Sequence, residues 1–237
     1  MNAEARESSR ILVWDLPVRL FHWMLALSFS GAWLTAESER WRDLHIALGY
    51  TAGVLVVLRI VWGVVGTRHA RFASFVHGPR RVIGYVRSLV AGRPEHAVGH
   101  NPAGGWAIVA LLGLTLAIVA TGLAIEADAG PKALEHLHEG LATAMLAVVG
   151  LHLVGVVVGS LAHRENLVGA MVTGRKLGAP REGIARPRRL AALALVAIVA
   201  GVWTGVVPAP GLDHPPTLTT ITAAGPARPH TSSDDDD

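Results

Sequence analysis

The sequence predicts an all-α integral membrane protein, and three observations carry that prediction. Only 16% of the 237 residues are charged while 51% are hydrophobic, against about 25% charged in a typical soluble domain. Uncharged runs fill the intervals between Glu95 and Glu126, Glu139 and Arg164, and Arg189 and Asp213, holding 30, 24 and 23 residues. As helices, each is long enough to cross a hydrocarbon core of about 30 Å. These runs are apolar all round, whereas the strands of a membrane barrel need a dyad alternation.

Five spans follow in order, at about 17–36, 44–66, 104–125, 137–161 and 189–207. Arg19 and His22 lie inside the first, and no basic n-region with a small-residue cleavage site precedes it, so it reads as a retained span. Arg59 interrupts the second, and Gly130 and Pro131 mark the turn between the third and fourth. The chain then divides into a cytoplasmic N-terminal segment (1–16), a four-span core (17–177), a basic linker with the fifth span (178–207) and a Pro-rich, disordered tail (208–237).

Orientation follows from Lys and Arg. Segments 1–19, 67–103 and 162–189 hold three, six and seven, sixteen in all, against four (Arg40, Arg42, Lys132 and Arg228) on the opposite side. The positive-inside rule puts the N-terminus and both long loops in the cytoplasm and the tail in the periplasm. Trp14, Trp41, Trp62 and Trp106 fall near span ends, where amphipathic rings favour the interface.

The chain has no cysteine, which excludes disulfides, thiolate-held iron–sulfur clusters and covalently attached c-type haem. It has twelve histidines, and four of them, His22, His45, His138 and His152, lie in or at the edges of spans, where polar groups are costly and mark function. His138 and His152 are fourteen residues apart, about 1400° of helical rotation, so they share one face about 21 Å apart along the axis. His136 falls about 160° off that face and reads as a solvated loop residue. Span direction puts His22 and His152 in the inner half and His45 and His138 near the outer surface. Two facing imidazoles are the axial ligands of a six-coordinate b haem, so the reading is two b haems, at His22/His152 and His45/His138. Zinc needs three or four ligands around one ion, and a proton relay normally includes intramembrane carboxylates. Gly31, Gly49, Gly53, Gly113, Gly122, Gly150 and Gly155 would admit a flat macrocycle, although glycine is common in any span.

The stretches RLFHW (19–23), LHIALGY (44–50), RIVWGVVGTRHARF (59–72), GHNPAGG (99–105), LHEG (137–140) and HRENLVGAMVTGRK (163–176) resemble, in order, the bacterial cytochrome b561 family. That family includes the b-type cytochrome subunits of nickel–iron hydrogenases. The resemblance covers about 10–177 and implies a four-helix bundle holding two b haems on the same four histidines. The fifth span and the tail, ending in Asp234–Asp237, lie outside it.

Arg19 and Arg59, towards the inner ends of their spans, can pair bidentately with propionates of the inner haem or snorkel to headgroups. His100 and Asn101 either line a quinone site or the inner haem's edge, or form a turn into the third span; the turn is favoured. His69, His77, His96 and His163 read as solvated in basic loops whose natural partner is anionic lipid. The function expected is a dihaem membrane cytochrome of the respiratory chain. It would carry electrons across the inner membrane between the quinone pool and a periplasmic partner: a c-type cytochrome, or a reductase or hydrogenase subunit. A superoxide:quinone oxidoreductase and a haem-free transporter or scaffold are the alternatives. Acidic neighbours of the outer basic residues weigh against the first, and no sign of nucleic-acid recognition exists.

Overall fold

The computed structural model describes residues 9–206 except 94 and 96. His96, the Pro-rich tail and its terminal aspartates lie outside the described residues. A short strand β1 (Ser9–Leu12) is followed by helices α1 (Leu16–Thr35), α2 (Arg42–Val65), α3 (Pro79–Val90), α4 (Pro102–Glu126), α5 (Ala133–His163) and α6 (Leu167–Thr173), then strand β2 (Arg175–Gly178) and helix α7 (Arg189–Trp203). Five of these helices coincide with the five apolar segments expected, within a few residues at each end.

Local chemistry sets the boundaries. Asp15 caps α1 by accepting from Val18 N at 2.9 Å, with Pro17 in the first turn, where its missing N–H costs nothing. Asn101 caps α4 in the same way, accepting from Gly104 N at 2.7 Å with Pro102 next. Asn101 therefore does what the turn reading expects. Asn166 caps α6 onto Gly169 N at 2.6 Å, and Gly174 ends it with φ +78°, the left-handed conformation that glycine adopts freely. The Gly174 carbonyl receives Val13 N and Trp14 N at 2.8 and 3.1 Å, and a Cβ there would press on the Trp14 carbonyl at 2.7 Å.

Among the described residues, three helices are long and apolar enough to cross a membrane: Glu39–Val65, which is α2 with a preceding turn of 3₁₀ helix, α4 and α5. The twenty residues of α1 contain Arg19 and His22, which lower its hydropathy, and α7 has only fifteen residues, about 22 Å. α1 lies along α2, α4 along α5, α2 also meets α4, and α7 covers α1 and α2. Trp203 Nε1 donates to Thr51 Oγ1 at 3.0 Å and ties α7 to α2. Phe21, Leu55, Val56, Leu112, Leu195 and Val199 form the core between these helices. α5 is the most exposed of the three: 6% of its apolar stretch is buried, against 33% for α2.

The connections make one end of the bundle, the base, far larger than the other, the rim. Among the described residues, the base carries β1, the link 66–101 with α3, and residues 164–188, whereas the rim carries 36–41, 127–132 and 204–206. The all-α reading has no strand in these connections. Instead β1 pairs antiparallel with β2, Ser9 opposite Gly178 and Leu12 opposite Arg175, outside the apolar segments. Ile11, Val13, Trp14, Val18, Ala70 and Ala170 form a second core there. Trp14 is 6% exposed within it, so it fills this core and does not serve as an interface anchor. Trp106, nearly half exposed, donates to His77 O at 2.8 Å.

Candidate functional site: two histidine pairs and a polar base

α5 supplies two of the four singled-out histidines. Its less exposed residues, including Leu134, His138, Met145, Val149, His152 and Gly159, recur at three- and four-residue steps along one face. His136 lies off that face, exposed beside Glu139 at 3.8 Å; it is solvated as expected, but on the helix and not in a loop. Across from this face, α1 brings His22 towards His152 near the base, with ring centroids 6.4 Å apart. α2 brings His45 towards His138 near the rim, at 6.3 Å. Fourteen residues of α5 separate the two levels. Among the described residues, no group of three or more His, Cys, Asp or Glu side chains converges on one metal position.

The rim pair is oriented by its neighbours. His45 Nδ1 lies 2.8 Å from Ala32 O, so an N–H there donates to the carbonyl and leaves Nε2 with its lone pair. Thr121 Oγ1 donates to backbone carbonyls of its own helix at 2.9 Å and so can accept from His138 Nδ1, also at 2.9 Å. Both imidazoles then present Nε2, the outer-shell arrangement that metal-ligating histidines show. Gly49 and Gly155 lie within about 60° of His45 and His152 on their helices, and a Cβ at either would meet nothing within 4 Å. Gly31 and Gly53 behave differently, being closed by Leu48 and Val119.

Four buried side-chain nitrogens lack a partner among the described residues: Arg19 Nε, His22 Nδ1, Arg59 Nη1 and His100 Nδ1. All four belong to the base half, where an unpaired buried polar atom is costly. Arg59 does not snorkel. It is 3% exposed, with its guanidinium 5.9, 5.3 and 6.0 Å from the ring centroids of Phe21, Phe72 and Phe75. Arg19 Nη2 donates to Val172 O in the last turn of α6, where a cation suits the helix dipole.

The sequence reading missed most of what surrounds these groups. Asp15, fully buried, accepts from Trp62 Nε1 at 3.0 Å and Thr67 Oγ1 at 2.6 Å besides capping α1. Its Asp-Leu-Pro setting signals a cap, but nothing local signals the two long-range donors. His69 is 8% exposed, with Nε2 2.8 Å from Glu182 O, and is therefore not solvated as the loop reading had it. His100 is more than part of a turn, since its ring lies 4.4 Å from that of Trp14 and 4.6 Å from that of Phe75. Lys176 pairs with Glu165 at 3.1 Å, both largely buried.

Burial first, then the charges of Arg59 and Lys176, push the His100 imidazole down to about 3, and burial also holds His69 below its ordinary value. A histidine that stays neutral when folded contributes stability that is complete above its unfolded value near 6.5 and is lost as pH falls from there towards 3. Thermal unfolding in detergent should therefore show the base destabilised by about 1–2 kcal/mol between pH 6.5 and 5. His100→Gln should flatten that dependence, and an unchanged slope would remove His100 as its source.

Apolar helices, three of them able to cross a membrane, that carry two facing histidine pairs at two levels define a class: helical membrane proteins with paired internal imidazoles. Residues 13–174, more than half of the chain, match prokaryotic cytochrome b561, and the chain belongs to that family. It is a b-type cytochrome of electron transport, a multi-pass protein of the inner membrane with haem b as cofactor. Among curated relatives, a probable Ni/Fe-hydrogenase B-type cytochrome subunit of Rhizobium leguminosarum bv. viciae is 26% identical over 76% of this chain and 94% of its own length. Its counterpart in Azotobacter vinelandii is 28% identical over 53% of this chain and 63% of its own. That of Bradyrhizobium diazoefficiens is 23% identical over 70% and 85%. No solved structure matches the chain.

Proposed function

We propose that the protein is a dihaem cytochrome that carries electrons across the inner membrane between a periplasmic redox partner and the quinone pool. The observation that carries this reading is the pairing of His22 with His152 and His45 with His138, at 6.4 and 6.3 Å between centroids. His22 with His152, and His45 with His138, would each hold the iron of one haem b between their imidazoles. Haem b would supply one-electron chemistry at such a pair, and the burial of the surrounding residues would tune its potential.

The chain's own groups do the rest. Ala32 O and Thr121 Oγ1 fix the ring orientation of the rim pair. At the base, Arg59 and Arg19 offer unpaired guanidinium nitrogens to propionates of the inner haem. α1, the first span, completes a four-span core (17–177) with α2, α4 and α5, and α7, with the linker before it, adds the fifth span (178–207). The basic base faces the cytoplasm with the N-terminus, and the rim and C-terminal tail face the periplasm. The names of the relatives support a nickel–iron hydrogenase as the periplasmic partner; a c-type cytochrome is the other candidate. At the rim, Arg42 is occupied by Glu126 at 2.6 Å, which gives a superoxide-oxidising surface no support.

Purified protein should show a b-type reduced-minus-oxidised spectrum with about two haems per chain, both reducible by a quinol analogue. One haem per chain overturns the two-level reading, and none overturns the cytochrome.

A further inference from the structure

Away from the histidine pairs, a cleft of about 510 Å³ opens at the base, lined by Gly66, Thr67, Arg68 and Arg71 on one side and by 183–186 and Arg188 on the other. Four arginines, Arg68, Arg71, Arg186 and Arg188, line it with no carboxylate side chain among the lining residues. All four are exposed, and the ion pairs of the described residues leave them out. Arg188 is also the residue before α7, held at φ +58°, and no side chain caps that helix. Its first-turn N–H groups therefore add positive potential at the cleft.

We propose that this cleft binds the headgroup of an anionic phospholipid carrying two phosphates. The volume lies in the range of small-molecule sites, and planar guanidinium forks match phosphate oxygens bidentately. The choice of a lipid over a soluble phosphate rests on what flanks the cleft. It sits where α2 ends and α7 begins, and Val64, Val65, Leu190 and Leu193 on those helix ends are 67%, 68%, 83% and 66% exposed. An arginine cleft bordered by bare aliphatic side chains at the ends of two apolar helices offers charge to a headgroup and hydrocarbon to its acyl chains. Basic pockets between membrane helices on the cytoplasmic side take diphosphate lipid headgroups for this reason. The assignment does not rest on the number of haems or on the electron partner.

The test uses the full haem-loaded chain in neutral detergent, titrated with diphosphatidylglycerol and read by native mass spectrometry and by the thermal midpoint. One lipid per chain is expected, with a raised midpoint, and phosphatidylglycerol, with one phosphate, should bind more weakly. Removing two charges as Arg186→Gln with Arg188→Gln, or as Arg68→Gln with Arg71→Gln, should weaken binding about thirtyfold. Arg80→Gln with Arg87→Gln on α3 should leave it unchanged, and an unaltered haem spectrum reports that each variant is folded. Single Arg71→Gln serves where a double variant fails to fold. Pyrophosphate has the charge without the acyl chains; if it binds as tightly as the lipid, the lipid assignment falls. Equal lipid affinity in wild type and in the cleft variants overturns the site altogether.

Discussion

If the protein holds two haems as proposed, replacing His138 with alanine should remove one of them, and His45→Ala should remove the same one. His22→Ala and His152→Ala should each remove the other, so that in all four variants the haem content falls from about two per chain to about one. The expectation follows from the pairing: the rings of one level lie 6.3–6.4 Å apart, while the levels are separated by fourteen residues of α5. A ligand lost at the rim leaves the base pair intact. The haems are told apart by their midpoint potentials and α-band positions, and His136→Ala, which changes an exposed side chain, keeps both. Loss of one and the same haem in all four variants would refute the two-level arrangement.

Asp15→Ala should cost about 3–6 kcal/mol of stability. The carboxylate is fully buried and accepts from Val18 N, Trp62 Nε1 and Thr67 Oγ1. Each donor left without a partner in a buried setting costs about 1–3 kcal/mol, and the cap of α1 goes with them. Because these bonds join the start of α1 to the end of α2, the damage should fall on the base. Spectroscopy during thermal unfolding should show the base haem released before the rim haem. Asp15→Asn keeps one acceptor oxygen and should lose roughly half as much. A variant within about 0.5 kcal/mol of wild type would mean that the network is not structural.

The contrast between the histidine pairs and the base shows what a linear reading can and cannot reach. His138 and His152 were placed on one face by their spacing alone, and the face of α5 that turns inward contains both. The five apolar helices were equally legible, because a bilayer-length run without charge leaves the backbone little but a helix. His100 has no such regularity. Its sequence neighbours Asn101 and Pro102 announce a turn, and they deliver one, yet the ring is enclosed by Trp14 and Phe75 from distant parts of the chain. α3 carries a clear helical period, with Val82, Ile83, Val86, Leu89 and Val90 on one face, and was missed because it is far shorter than a span; the four-residue strands β1 and β2 are too short to show a period at all.

By itself, then, the sequence determined the five apolar helices, their alternating direction and the levels of four histidines, since each depends on local composition and a fixed helical pitch. Only the tertiary structure decided what closes the base: Asp15 joining α1 to α2, Arg59 set among three phenylalanine rings, His69 against Glu182 O, and four arginines around one cleft. Those contacts join residues far apart in the chain, through side-chain bonds and packing that carry no period to read.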